Sequence, residues 1–203
     1  MKISKEKTLI ILDWDDTLFP TSWIVKNQLD ISNVHLMVKY TKYFSKLDEA
    51  LYRLLTRLQK CGTVIIVTNA LPEWVRLSSK LLPQTQTIVR TLKIVSARKI
   101  YQDIVSNYND WKKYAFNDQL NEIDKRKKIN NIISVGDAEY EYNALISLHK
   151  NDKMNYKILK SIKFVKSPSN LTLLDQITVL HNAVPHICMI PKHADMKFEI
   201  YNE

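Results

Sequence analysis

Acids crowd the segment Asp13-Trp14-Asp15-Asp16-Thr17, directly after the apolar run at 8–12. Three carboxylates this close repel one another unless a cation sits among them. Two carboxylates two residues apart, in a loop leaving a strand, can divide the work of phosphoryl transfer. One attacks phosphorus in line and the other moves the proton of the leaving oxygen. Asp13 suits the attack and Asp15 the proton transfer. An EF-hand calcium loop also offers alternating acids, but it needs glycine where Leu18 stands and an acid where Val25 stands.

Two other segments supply matching chemistry. Gly136-Asp137 follows the apolar run at 131–135, and Glu141 comes four residues after Asp137. Asp13 and Asp137 together make a hard, oxygen-rich donor set suited to magnesium. Thr68-Asn69 follows the apolar run at 63–67. A hydroxyl there, with the backbone N–H groups of a helix entrance behind it, can hold phosphoryl oxygens. A cation must balance nucleophile and phosphate, and Lys112 and Lys113, early in a predicted helix, are both candidates.

These residues lie far apart in the chain, so elements must gather them. The apolar runs at 8–13, 63–67, 131–135 and around 92–95 read as buried parallel strands, with a further strand at 161–165. Residues 46–60 place Leu47, Leu51, Leu54, Leu55 and Leu58 on one helical face, and Gly62 follows as a stop. Pro72 opens a helix that Pro83 closes, Asp110 stands at the cap position of a helix reaching about Lys127, and 139–149 read as helix. Ser169 or Asn170 starts a last helix to about His181, and the run Ile187–Ile190 suits an edge strand. Strands that alternate with helices predict an α/β fold: a three-layer, Rossmann-like parallel sheet with helices on both faces. In such sheets the ligand site lies beyond the C-terminal ends of the strands, where Asp13, Thr68 and Asp137 all stand.

The four segments LIILDWDDT, VIIVTN, WKKYAF and IISVGDAEYE, in this order, resemble the haloacid dehalogenase superfamily of phosphatases. The segments DWDDTLFPTSW, VSAR and WKKYAF also look like a branch of it found in plants and unicellular eukaryotes. The resemblance covers about residues 8–145. It implies a magnesium-dependent phosphomonoester hydrolase that passes through an aspartyl-phosphate. Asp13 would be the nucleophile and Asp15 the acid and then base. Thr68, Asn69 and Lys112 would bind the phosphoryl group; Lys112 is preferred to Lys113 because the family lysine directly follows tryptophan here. The metal ligands would be Asp13, Asp137 and the backbone carbonyl of Asp15, and Glu141, standing where an Asp is common, would act on the metal through water.

Length and composition set the frame. The 203 residues are 45% hydrophobic, enough for one domain with a sizeable core. The reading is a single domain over 1–203, with 18–45 as a flap or minimal cap and 185–203 as a tail. Such a chain has no large cap, so its site is open to large substrates such as a phosphoprotein or a nucleic-acid end. A net charge of +9 points the same way, toward a polyanionic partner, though scattered lysines also suit a plain solvated surface. No stretch is long and apolar enough to span a membrane, and the short apolar run near the start lacks the features of a signal peptide, so the expected location is cytoplasmic. Only Gly62 and Gly136 are present, which excludes glycine-rich phosphate loops and marks both as places of backbone freedom. Cys61 and Cys188 fit neither a disulfide framework nor a zinc motif and read as reduced, mostly buried thiols. The five histidines show no ligand spacing, and Trp14 and Trp23 suit either packing over the loop or a wall of the substrate entrance. The opposing function class is a catalytically silent phosphate-binding module on the same scaffold; intact Asp13, Thr68, Lys112 and Asp137 argue for the enzyme.

Overall fold

The computed structural model describes residues 3–150 and 157–199. In chain order the elements are β1 (Thr8–Leu12), α1 (Thr21–Lys26), α2 (Val34–Met37), α3 (Thr41–Cys61), β2 (Thr63–Thr68), α4 (Pro72–Ser78), α5 (Pro83–Val89), β3 (Lys93–Ser96), α6 (Ala97–Tyr101), α7 (Trp111–Lys127), β4 (Asn131–Gly136), α8 (Glu139–Ser147), β5 (Ile158–Lys163), α9 (Asn170–Met189) and β6 (Ala194–Lys197). All six strands are parallel, in the order β3-β2-β1-β4-β5-β6. Strands buried on both faces have no polar side to show water, which is why β1 and β2 read as unbroken apolar runs.

Alternate residues of each strand feed two separate cores, as the two-residue period of a strand requires. Ile10, Leu12, Ile66 and Ile133 pack beneath α3 and α9, whose apolar stripes run through Leu51, Leu55, Leu173 and Ile177. Leu9, Ile11, Ile65 and Ile132 face α7 and α8 through Phe116, Leu120 and Leu145. The result is a three-layer α/β architecture with helices on both faces of one parallel sheet. Among the described residues no helix is long and apolar enough to cross a membrane.

Several elements differ from the sequence-based expectation. Pro83 occupies the first turn of α5 instead of merely ending a helix, because proline costs nothing where the N–H has no helical partner. Helix α9 continues past His181 to Met189, so Ile187–Met189 are helical, and the edge strand is Ala194–Lys197. Pro185 inside α9 cannot donate to the His181 carbonyl; Arg57 Nη1 of α3 donates to that oxygen instead, at 3.0 Å. Residues 200–203 of the expected tail lie outside the described residues. Strand β5 begins three residues earlier than expected and buries Lys160.

The glycines also differ. Neither adopts a positive φ. Gly62 follows α3 in extended backbone, and a Cβ there would stand 2.7 Å from the Thr8 carbonyl oxygen. It is kept by close approach to β1, not by a left-handed cap. The left-handed stop is used instead by Lys128, after α7, at φ 49°. Asp110 does not cap α7 with its side chain; its carboxylate accepts from Asn107 Nδ2 at 3.0 Å and from the Lys113 ammonium.

Candidate active site

Asp13 emerges at the tip of β1 because the wholly buried strand ends at Leu12 and the next N–H still pairs with β4, donating to Val135 O at 2.9 Å. The register sets Leu12 beside Ile66 of β2 and Val135 of β4. One step further, Asp13 is level with Val67 and Gly136, so Thr68 and Asp137 stand at neighbouring tips. The chain leaves β1 toward β2 on one side and enters β4 on the other. Ligands bind in open α/β sheets at this kind of switch point.

Lys112 resolves the choice left open by the two adjacent lysines. It lies in the first turn of α7 and is 1% exposed, whereas Lys113 is turned outward to Asp110. The Lys112 ammonium is 2.6 Å from the Asp13 carboxylate and is also paired with Glu141. The Tyr140 ring lies 5.1 Å from the same nitrogen. Burial alone would lower the pKa of Lys112, but the charges of Asp13 and Glu141 outweigh it and hold the group above the ordinary lysine range.

Glu141 makes two direct contacts. One oxygen binds Lys112 and the other accepts the Ala138 N–H at 3.0 Å, closing the entrance of α8. A Cβ on residue 136 would lie 2.3 Å from Glu141 Cγ. Gly136 therefore leaves room for the side chain that braces the lysine. In this arrangement Glu141 ties Lys112 to the entrance of α8.

The acidic loop is held from both sides. The N–H groups of Thr17, Leu18 and Phe19 converge on the Trp14 carbonyl, and Asp16 takes φ 56° to turn the chain. Asp16 accepts from the Ser22 N–H at 2.8 Å and from the Ser22 hydroxyl, so it anchors the loop. The Asp15 carboxylate accepts from Thr21 Oγ1 and, at 2.8 Å, from Trp74 Nε1 of α4. Burial raises the Asp15 carboxyl above its ordinary range, with a further upward push from Asp13, against the hydrogen bonds of Thr21 and Trp74. A carboxyl raised in this way holds its proton more readily, as a group that protonates a leaving oxygen must.

Thr68 is buried at the tip of β2, and its Oγ1 accepts from the Ala70 N–H at 3.0 Å. That N–H is thus turned to the threonine rather than left open behind it, as the sequence suggested. The hydroxyl proton of Thr68 stays available as a donor. Asn69 Oδ1 and Thr17 Oγ1 are enclosed without a hydrogen-bond partner. Trp14 is not a wall of an entrance: it is fully buried, stacks on Phe19 at 6.1 Å and donates to Ser78 Oγ at 3.0 Å. Trp23 packs against Tyr40 and Tyr43. Trp74 and Thr21 had no signal in the sequence, since a lone tryptophan on a helix face usually means packing.

The donor set is rich in uncompensated acid. Lys112 pairs with Asp13 and Glu141, its charge also reaches Asp15 and Asp137, and Asp16 lies within the field of Asp13. Asp137 is pushed up to about 8 by burial first and then by the charges of Asp13, Glu141 and Asp16. Burial likewise raises Glu141 to about 7. Among the described residues no three His, Cys, Asp or Glu side chains group as a metal cage. Magnesium commonly takes only one or two carboxylates and keeps its waters, and a strained pair such as Asp13 and Asp137 fits that demand.

A linked prediction follows from these groups. Both Asp137 and Glu141 have folded pKa values above their unfolded ones, so the native state holds more protons than the unfolded state between about pH 4 and about pH 8. Their contribution to stability is complete below about pH 4 and is lost as pH rises through about 8. Magnesium should therefore raise the melting midpoint more at about pH 8 than at about pH 5. Melting curves with magnesium or with a chelator, at both pH values, check this; an equal shift at both would contradict it.

Comparisons of the chain with protein-family models, curated proteins and solved structures find no match.

Proposed function

We propose that the chain is a magnesium-dependent phosphomonoester hydrolase of the haloacid dehalogenase type, with Asp13 as nucleophile. One observation supports this reading above the others. A fully buried lysine joins Asp13 to Glu141 at the switch point of the sheet, with an unneutralised Asp137 beside them. The acids outnumber the one cation among them, so Asp137 holds its proton to about pH 8, and a bound cation would let it ionise where a phosphate would sit.

In the proposed reaction the free oxygen of Asp13 attacks phosphorus in line. Asp15 gives its proton to the leaving oxygen, and Thr21 and Trp74 hold Asp15 at the angle this needs. The Asp13–phosphorus bond forms as the ester P–O bond breaks. Asp15, now ionised, takes a proton from water, which attacks phosphorus and releases Asp13. Thr68 donates to a phosphoryl oxygen, Asn69 lines the same edge, and Lys112 offsets the charge gathered there. Magnesium held by Asp13, Asp137 and the Asp15 carbonyl would neutralise phosphoryl charge.

The substrate reading stays with large phosphorylated molecules, a phosphoprotein or a nucleic-acid end. Part of the expected basic surface, however, is spent internally. Lys157 and Lys160 are buried; Lys157 pairs with Asp124 and Lys163 with Glu139. The exposed cations at 125–128 end α7, beside the start of β2 and far from Lys112, so they add to the net charge and not to the site itself.

The direct test is hydrolysis of an aryl phosphate with and without magnesium, together with acid quench for phosphate bound to protein. Asp15→Asn should slow release more than attack when the leaving group is a good one, so labelled phosphate should accumulate on Asp13. A folded wild-type protein with no turnover under either condition would remove the enzymatic reading.

A further inference from the structure

We propose that Cys61 and Cys188 form a modification site at which a peroxide joins α3 to α9 through an intramolecular disulfide. Nothing in their spacing pairs them, but the fold brings the ends of two helices together. Cys61 is the last residue of α3, and Cys188 is the last but one of α9. Gly62, next to Cys61, lies against Thr8, and Asn131 Nδ2 donates both to Thr8 Oγ1 at 3.1 Å and to the Cys188 carbonyl, so the two helix ends meet at one point, and both thiols are free. They pack in one apolar cluster along the contact of α3 with α9. The site sits away from the acids: Gly62, next to Cys61, lies against Thr8, at the opposite end of β1 from Asp13.

The surroundings give the two thiols different parts. Cys61 is half-buried and can meet a small oxidant; Cys188 is 5% exposed. Burial pushes the Cys188 thiol up to about 12, with the neighbouring Cys61 adding to the effect and Lys160 opposing it. Shielded from the oxidant that reaches Cys61, Cys188 is the thiol left to resolve. The end of α9 is fixed for that role. The Cys188 carbonyl accepts from Lys160 Nζ at 3.0 Å and from Asn131 Nδ2 at 3.3 Å, groups of β5 and β4. Lys160 is fully enclosed, so its positive end lies beside the thiols without contact with water.

The step balances as follows. The sulfur of Cys61, as thiolate, attacks one oxygen of hydrogen peroxide; the S–O bond forms, the O–O bond breaks, and the departing hydroxide takes a proton and leaves as water. The sulfur of Cys188 then attacks the sulfenic sulfur. The S–S bond forms, the S–O bond breaks, and the hydroxyl leaves as water with the Cys188 proton. Two thiols lose two electrons and the peroxide becomes two waters. Helix ends that meet in one apolar cluster can bring two sulfurs to bonding distance by shifts of the last turns alone. Such a bond in a cell interior would be transient and sensing rather than permanent.

The test uses the full chain treated with hydrogen peroxide, stopped with catalase, alkylated and mapped without reduction. The expected result is one cross-linked peptide pair carrying Cys61 and Cys188. The melting midpoint should rise by roughly 10 °C, because the bridge closes a long loop. Dithiothreitol should reverse both changes. In Cys188→Ser, Cys61 should stop at a sulfenic acid that dimedone traps, with no rise in midpoint. If wild-type Cys61 goes instead to sulfinic or sulfonic acid, if the cross-link is between molecules, or if both thiols stay reduced while glutathione oxidises, the proposal fails. Aryl phosphate turnover is not the readout, so failure here is separate from failure of the phosphatase reading.

Discussion

Asp13→Asn is expected to remove aryl phosphate turnover by at least about 10⁴-fold while leaving the chain folded. An amide oxygen cannot act as the attacking group, and no neighbouring acid can replace it. Asp15 is tied to Thr21 and Trp74, Asp16 to Ser22, and Glu141 to Lys112 and Ala138. The effect on stability should have the opposite sign. The Asp13 charge raises Asp15, Asp16, Asp137 and Glu141 alike. Removing it relieves those repulsions, while Lys112 keeps Glu141 as a partner. At about pH 8, where the repelled groups would ionise, the variant should melt no lower than the wild type. Turnover and a melting curve on the same preparation decide the matter. Activity within tenfold of wild type in a folded variant would exclude Asp13 as nucleophile.

Lys112→Met should do harm of two kinds. Methionine fills a similar volume but leaves Asp13 and Glu141 buried without their cation. Breaking a buried pair from one side costs about 3–5 kcal/mol. The carboxylates can escape part of that cost by taking up protons. Without Lys112, which holds the Glu141 carboxyl down, that pKa rises further, so the native state holds still more protons and stability falls more steeply as pH climbs. The loss should thus be large at about pH 8 and small at about pH 5. Turnover should also fall by roughly 10³-fold, the scale of one lost donor to a developing charge. Melting curves across that range check the first claim. A destabilisation independent of pH would mean that the lysine only fills space.

Much of this arrangement is legible in the residues alone. A parallel sheet buried on both faces forces apolar runs in the sequence, and those runs end where Asp13, Thr68 and Asp137 appear. Local order therefore reveals the strands and their tips. It does not reveal what depends on contacts between distant segments. Arg57 reaching the His181 carbonyl makes room for Pro185 inside α9, a position that proline by its own propensity would end. The choice of Lys112 over Lys113 rests on which face of α7 meets the sheet. Trp74 at Asp15 and Glu141 at Lys112 appear only when α4 and α8 are placed beside β1.

The alternation of strands with helices as far as β5, the acidic loop after β1 and the order of the polar strand ends follow from residue type and spacing, because each rests on the period of a helix or strand and on turn chemistry; the place of β6 does not, since Ile187–Met189 continue α9. Only the tertiary structure decided which lysine is buried, that Glu141 braces it through the gap left by Gly136, and that the helix ends bearing Cys61 and Cys188 meet. Those outcomes turn on side chains far apart in the chain sharing a few cubic ångströms, and spacing along one strand of sequence carries no measure of that.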